Sequence, residues 1–165
     1  MNAPQTLDHA GIAQRIPHSG RMCLLHALQR WDADNIHCSA ISHRDADNPL
    51  RSASGLLGAC AIEYAAQAMA LHGSLVQPAG AAPTPGYLAS VRGVTLAQPL
   101  LHTLPGALQV HAQRLAGDER QILYRFEVTD EQGGAVAEGR ATVVLNTPVR
   151  SAAESPSSST AAETR

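Results

Sequence analysis

The sequence has very few aromatic side chains: one Trp, one Phe and three Tyr in 165 residues. With so little ring volume available, Leu, Val, Ile and Ala must fill the interior, and an Ala-rich core lets a helix press close against a sheet or another helix. There is also no run of Lys and Arg. The 12 basic and 14 acidic residues give a formal charge of -2, with no cluster that would track a phosphate backbone, so nucleic acid is not an expected partner. Cysteine is scarce and odd in number. Cys23, Cys38 and Cys60 are far apart in apolar surroundings, which argues against a disulfide framework or a zinc knuckle and fits a reducing, cytoplasmic setting. No stretch of about 18 apolar residues is free of Glu, Gln and His, and Met1-Asn2-Ala3-Pro4-Gln5 has no basic segment followed by an apolar one. Neither a membrane span nor a secretion signal is expected.

The hydrophobic content of 44% suffices for one buried core but not two ordinary domains. A single domain over 1–146 is expected, followed by a tail over 147–165 that is too rich in Ser, Ala and Glu to offset the entropy of ordering it. Leu7 to Ile16 reads as a short helix, and Pro17 makes the following residues extended. Trp31 and the alternation Ile36, Cys38, Ala40 indicate a strand reached through the Asp32–Asn35 turn, with His43 at its end. After a polar stretch from Arg44 to Ser54, a helical run extends from Gly55 through Leu75. The second half reads as strands: Gly86 to Leu96, then Leu108, Val110 and Ala112 in alternation, then Ile122, Tyr124, Phe126 and Val128, and finally Ala135 to Leu145 after the Gln132-Gly133-Gly134 turn. One long apolar helix followed by antiparallel strands is an α+β pattern in which the sheet wraps the helix.

Between Ser52 and Val91 the only charged residue is Glu63. The helix around it is apolar nearly all round, which means burial over most of its circumference. A carboxyl in that position is expensive to bury ionised, so its pKa is expected to rise, making Glu63 a candidate general acid. A plainer reading stands beside this one, in which Glu63 lies in a solvent-facing seam or binds a neighbouring backbone group. Gln67, at i+4, can orient the carboxyl or simply fill the same seam. Of the eight histidines, His18 and His43 are the candidate bases, because both sit where apolar segments meet irregular backbone. No His-x-x-x-His or similar ligand spacing is present, so no metal is expected. Gly55 to Gly58 offer backbone N–H groups at the positive end of the helix dipole.

These residues resemble a known family. Ile16-Pro17-His18-Ser19-Gly20-Arg21-Met22-Cys23-Leu24-Leu25 resembles the opening segment of 3-hydroxyacyl-carrier-protein dehydratases, and Ile62-Glu63-Tyr64-Ala65-Ala66-Gln67-Ala68 resembles their central helix. Gly86 to Leu100 and Leu108 to Leu145 are similar to their later strands, with the aryl-polyene pigment branch the closest in pattern. The resemblance implies a hot-dog fold that pairs into homodimers or heterodimers. It also implies dehydration of a 3-hydroxyacyl thioester carried on the phosphopantetheine arm of an acyl carrier protein, with no cofactor of the protein's own. Glu63 carries over as the acid, and Gly58 as the backbone site that polarises the thioester carbonyl. Leu57, Tyr64 and Gln67 are expected beside them as substrate-binding side chains. The family's Gly-His-Phe-Pro loop does not carry over. Asn48-Pro49-Leu50-Arg51 stands where its histidine would be, leaving His18 and His43 as replacements. A non-catalytic acyl-binding subunit and a hot-dog thioesterase are the alternatives.

Overall fold

The computed structural model describes residues 4–78, 80–81 and 84–145; the expected tail lies outside them. A short helix α1 (His9–Ala13) precedes strands β1 (Ala27–Trp31) and β2 (Asn35–Ala40). The long helix α2 (Ala61–Val76) follows, and then β3 (Gly86–Leu96), β4 (Leu108–Gly117), β5 (Gln121–Thr129) and β6 (Ala135–Leu145). The six strands form one sheet in the order β1-β2-β4-β5-β6-β3, every neighbouring pair antiparallel. The sheet packs around α2, which is the hot-dog arrangement. No helix among the described residues is long and apolar enough to cross a membrane.

The packing follows from the alternation in the strands. Leu108, Val110 and Ala112 of β4 and Ile122, Tyr124, Phe126 and Val128 of β5 all point inward and are buried. They meet Ala61, Tyr64, Ala65, Ala68, Met69, Leu71 and Leu75 of α2. Three alanines on that face let the helix axis approach the sheet closely, which compensates for the shortage of rings. Asp side chains organise three of the reversals. Asp32 accepts from the amides of Asp34 and Asn35, Asp118 from those of Arg120 and Gln121, and Asp130 from those of Gln132 and Gly134.

Two boundaries differ from expectation. The chain from Gly55 to Leu57 is not helical, and a 3-10 turn over Gly58–Cys60 leads into α2. Gly55 adopts φ 95° against the His102 ring, and the Leu56 and Leu101 backbones are tied together, so this stretch docks on the 98–102 segment before the helix begins. β1 is a separate strand. It is five residues long with an irregularity between Leu28 and Arg30, so it offers little alternation to read.

His72 is fully buried on α2 and satisfied at both nitrogens. Nε2–H donates to the Asp32 carbonyl at 2.9 Å and Nδ1 accepts from the Tyr124 hydroxyl at 2.9 Å. One neutral ring thus ties the helix to the β1–β2 turn and to β5. Replacing His72 by Ala removes both bonds and leaves a cavity; destabilisation of about 2–4 kcal/mol is expected in urea unfolding.

Candidate active site

The segment from His18 to Leu25 crosses the first turns of α2 as a strap, and a single side chain fixes it there. Gln67 is fully buried. Its Oε1 accepts from the Leu24 amide at 2.8 Å, and its Nε2 donates to the Met22 carbonyl at 2.7 Å and to Glu63 Oε1 at 3.0 Å. Both amide hydrogens are used, so the carboxamide has one orientation. The strap in turn brings His18 to the carboxylate: its Nε2 is 3.0 Å from Glu63 Oε1. Glu63, Gln67 and His18 are therefore brought together.

The electrostatics of Glu63 differ from the expectation of a raised pKa. Burial does push the carboxyl upward, but the side chain remains 30% exposed, and the opposing effects prevail. Hydrogen bonds from His18 and Gln67, together with the charge of His18, hold Glu63 below its ordinary value of 4.5. Its place in the first turn of α2, near the positive end of the dipole, acts in the same direction. The resting carboxyl is ionised.

Three other expected residues lie elsewhere or are already engaged. His43 is fully buried, with Nε2 3.2 Å from the Leu104 carbonyl, and burial lowers its pKa. It faces the 99–106 connection and makes no hydrogen bond to Glu63, because the chain turns away in a 3-10 turn over Ser42–Arg44 instead of ending as a strand. Gly58 cannot polarise a carbonyl, because its N–H donates to Pro99 O at 2.8 Å. Any Cβ there would collide with the Gln98 carbonyl, so glycine is required for docking. The next amide, that of Ala59, has no hydrogen-bond partner among the described residues. Tyr64 points into the core. It is fully buried, and its hydroxyl meets Ser42 Oγ at 2.9 Å and Asn48 Nδ2 at 3.2 Å. Leu57, 47% exposed beside the helix start, remains open to a ligand.

Ser42, Asn48 and the Met22 and Leu24 peptides were not legible as site components. Their positions depend on the chain folding back over α2, and no local spacing signals that. Two grooves, about 560 and 680 Å³, are lined by neither Glu63 nor His18. The pair instead stands at an open wall. No cluster of His, Cys, Asp and Glu suited to a metal occurs among the described residues.

Comparison with known proteins gives the family and the fold. Residues 10–154 match the ApeP-like family, described as ApeP dehydratase. The chain belongs to that family. Among solved structures it is similar to a chain of the dehydratase heterocomplex ApeI:P from Xenorhabdus doucetiae, at 24% identity and TM-score 0.73, covering 82% of this chain and 91% of that one. A thioesterase of Haemophilus influenzae is 15% identical at TM-score 0.61, over 88% and 94% of the two chains. A mutant thioesterase of Pseudomonas aeruginosa is 14% identical at TM-score 0.62, over 88% and 98%. A search of curated proteins finds no match. Membership in the ApeP-like family makes dehydration the general reaction class, and the structural likenesses show the hot-dog fold.

Because the folded pKa of Glu63 is depressed, its ionisation stabilises the protein above pH 4.5, and this contribution is lost as pH falls through the folded value. The melting-temperature gap between the wild type and Glu63→Gln should accordingly be widest above pH 4.5 and close on acidification. Gly58→Ala should destabilise by about 2 kcal/mol or more, because the colliding atom is backbone and cannot rotate away.

Proposed function

We propose that this protein dehydrates a 3-hydroxyacyl thioester, carried on the phosphopantetheine arm of an acyl carrier protein, to the trans-2-enoyl thioester. The supporting observation is the 3.0 Å contact between His18 Nε2 and Glu63 Oε1, with Gln67 fixing the carboxylate. Elimination needs one group to take a proton from C2 and another to give one to the departing C3 hydroxyl. A His–Glu pair that holds one proton between its members contains both.

In the resting pair, that proton is on His18. When the acyl chain covers the open wall and displaces water, the upward push of burial on Glu63 grows and the proton moves to the carboxyl. Neutral His18 then removes the C2 proton as Glu63 protonates the C3 hydroxyl. The C2–H and C3–O bonds break, the C2–C3 double bond forms, and water leaves. After this step the pair's one proton is on His18 and Glu63 is ionised, as in the resting pair, so each cycle leaves the pair as it began. The Ala59 amide, at the positive end of the helix, is the donor available for the thioester oxygen as it gains charge. This reading retains the carbonyl-polarising helix start but moves the role from Gly58 to its neighbour.

A second hot-dog subunit supplies the missing wall. β3 is an edge strand of 11 residues, hydrogen-bonded on one side to β6. Its Tyr87, Leu88 and Leu96 are each 40% exposed or more, as is Leu57 at the helix start. A long edge with apolar side chains favours pairing with another chain. The dehydratase heterocomplex to which the fold is similar makes a different hot-dog chain the proposed partner, with a second copy of this chain as the alternative.

Incubation with a 3-hydroxyacyl carrier protein, alone and with a candidate partner subunit, tests the reading by mass. Loss of one water is expected. Release of free acid would instead identify a thioesterase, and no turnover in either mixture would leave an acyl-binding subunit. In the active mixture, Glu63→Gln and His18→Ala should each lower kcat/KM by about 100-fold or more, while folded His43→Ala stays within about threefold of wild type.

A further inference from the structure

We propose that Tyr64, acting through Ser42 and Leu24, is a positioning residue that sets the contact between His18 and Glu63. The proposal rests on the dehydratase reading for its kinetic consequences, but its geometry stands independently.

A Phe at position 64 would fill the same core volume, so the hydroxyl needs its own explanation. Buried hydroxyls must find partners, and those of Tyr64 are not incidental. Ser42 Oγ–H donates to the Leu24 carbonyl at 2.8 Å, which uses its single proton. Across the 2.9 Å contact the Tyr64 hydroxyl is therefore the donor to Ser42. Asn48 Nδ2 donates to both the Tyr64 hydroxyl at 3.2 Å and the Ser42 carbonyl at 2.9 Å, and Asn48 Oδ1 accepts from the Leu50 amide at 2.9 Å. The line of bonds thus runs from the 48–50 loop through Tyr64 and Ser42 to the strap.

The strap receives this line at the peptide that Gln67 already holds. The Leu24 N–H is bound by Gln67, and the Leu24 C=O is bound by Ser42. Tyr64 and Gln67 are three residues apart on one face of α2, with Glu63 beside them. Leu24 is consequently fixed from two points on the helix that carries the carboxylate. At the other end the strap is anchored by Ile16, which is buried and bonded to Ile12 O. His18 lies in the span between these anchors, after the rigid Pro17 and before the 3-10 turn over Gly20–Met22. With little slack, a displacement at Leu24 reaches the imidazole, whose 3.0 Å contact leaves no room for an ångström of drift. The titratable groups next to Glu63 are His18 on the strap and Cys60 at the helix start, so a change in strap position should be read at Glu63.

The test uses Tyr64→Phe, which keeps the ring, and Ser42→Ala, which removes the same line from a loop, with Ser42→Thr as the conservative variant. Two quantities are read in the full-length protein: the NMR titration midpoint of the Glu63 carboxyl, and kcat and KM on the hydroxyacyl carrier. In Tyr64→Phe and Ser42→Ala the midpoint should rise toward 4.5 as the His18 and Gln67 bonds slacken. kcat should fall by about 10-fold with KM within about twofold, a fraction of what a full ångström of misplacement costs. Ser42→Thr should restore both. Folded Tyr64→Phe or Ser42→Ala with wild-type midpoint and wild-type kcat would overturn the proposal, as would a lower melting temperature with neither reading changed. A raised midpoint in a protein that dehydrates nothing, even as wild type, would uphold the positioning role and remove the dehydratase reading alone.

Discussion

A carboxamide with every hydrogen-bonding group engaged is the constraint on which the rest of the site depends. Gln67 is fully buried, and each of its polar atoms would carry a desolvation cost if left unpaired. The strap satisfies them by presenting the Met22 carbonyl and the Leu24 amide at the spacing of one side-chain amide. Because the second Nε2 hydrogen is directed at Glu63, the interaction that docks the strap also fixes the carboxylate that the strap's histidine meets. Folding and site assembly are therefore one event, and the apolar helix around Gln67 makes any alternative pairing costly.

The same contacts decide the protonation state. Burial pushes the Glu63 carboxyl upward, but the hydrogen bonds from His18 and Gln67 and the charge of His18 hold it below its ordinary value. The resting state is thus a balance between opposing effects. The shape of the site agrees with this. The pair is partly exposed, with the exposed Leu57 at the helix start, and neither of its side chains lines the two grooves.

Glycines and aspartates at the periphery hold this arrangement in place. Gly58 brings the helix start against the Gln98–Pro99 backbone, and its amide is consumed in doing so. The Asp-capped reversals at Asp32 and Asp118 set strand register at a distance from the site, and their backbone hydrogen bonds hold both carboxyls below the usual range. His72 links one of these turns to the helix. The family resemblance at the level of motif spacing thus coincides with packing constraints specific to this chain.

Much of the architecture was legible in the sequence. Alternation along β4 and β5 specified which side chains face inward, and an apolar helix whose one charge is Glu63 had to be wrapped by a sheet. Glu63 and Gln67 were visible for the same reason, since a polar residue in an apolar helix is conspicuous and the i+4 spacing puts the two on one face. Local pattern could not choose between His18 and His43. Each sits at the end of an apolar segment, and only the path of the strap across α2 and the 3-10 turn after β2 separates them. The direction of the Glu63 shift, the engagement of the Gly58 amide and the role of the Tyr64 hydroxyl were likewise decided by tertiary contacts. Sequence fixes periodicity and composition, which govern burial, whereas hydrogen bonds between segments some twenty to forty-five residues apart depend on where the folded backbone places each donor and acceptor.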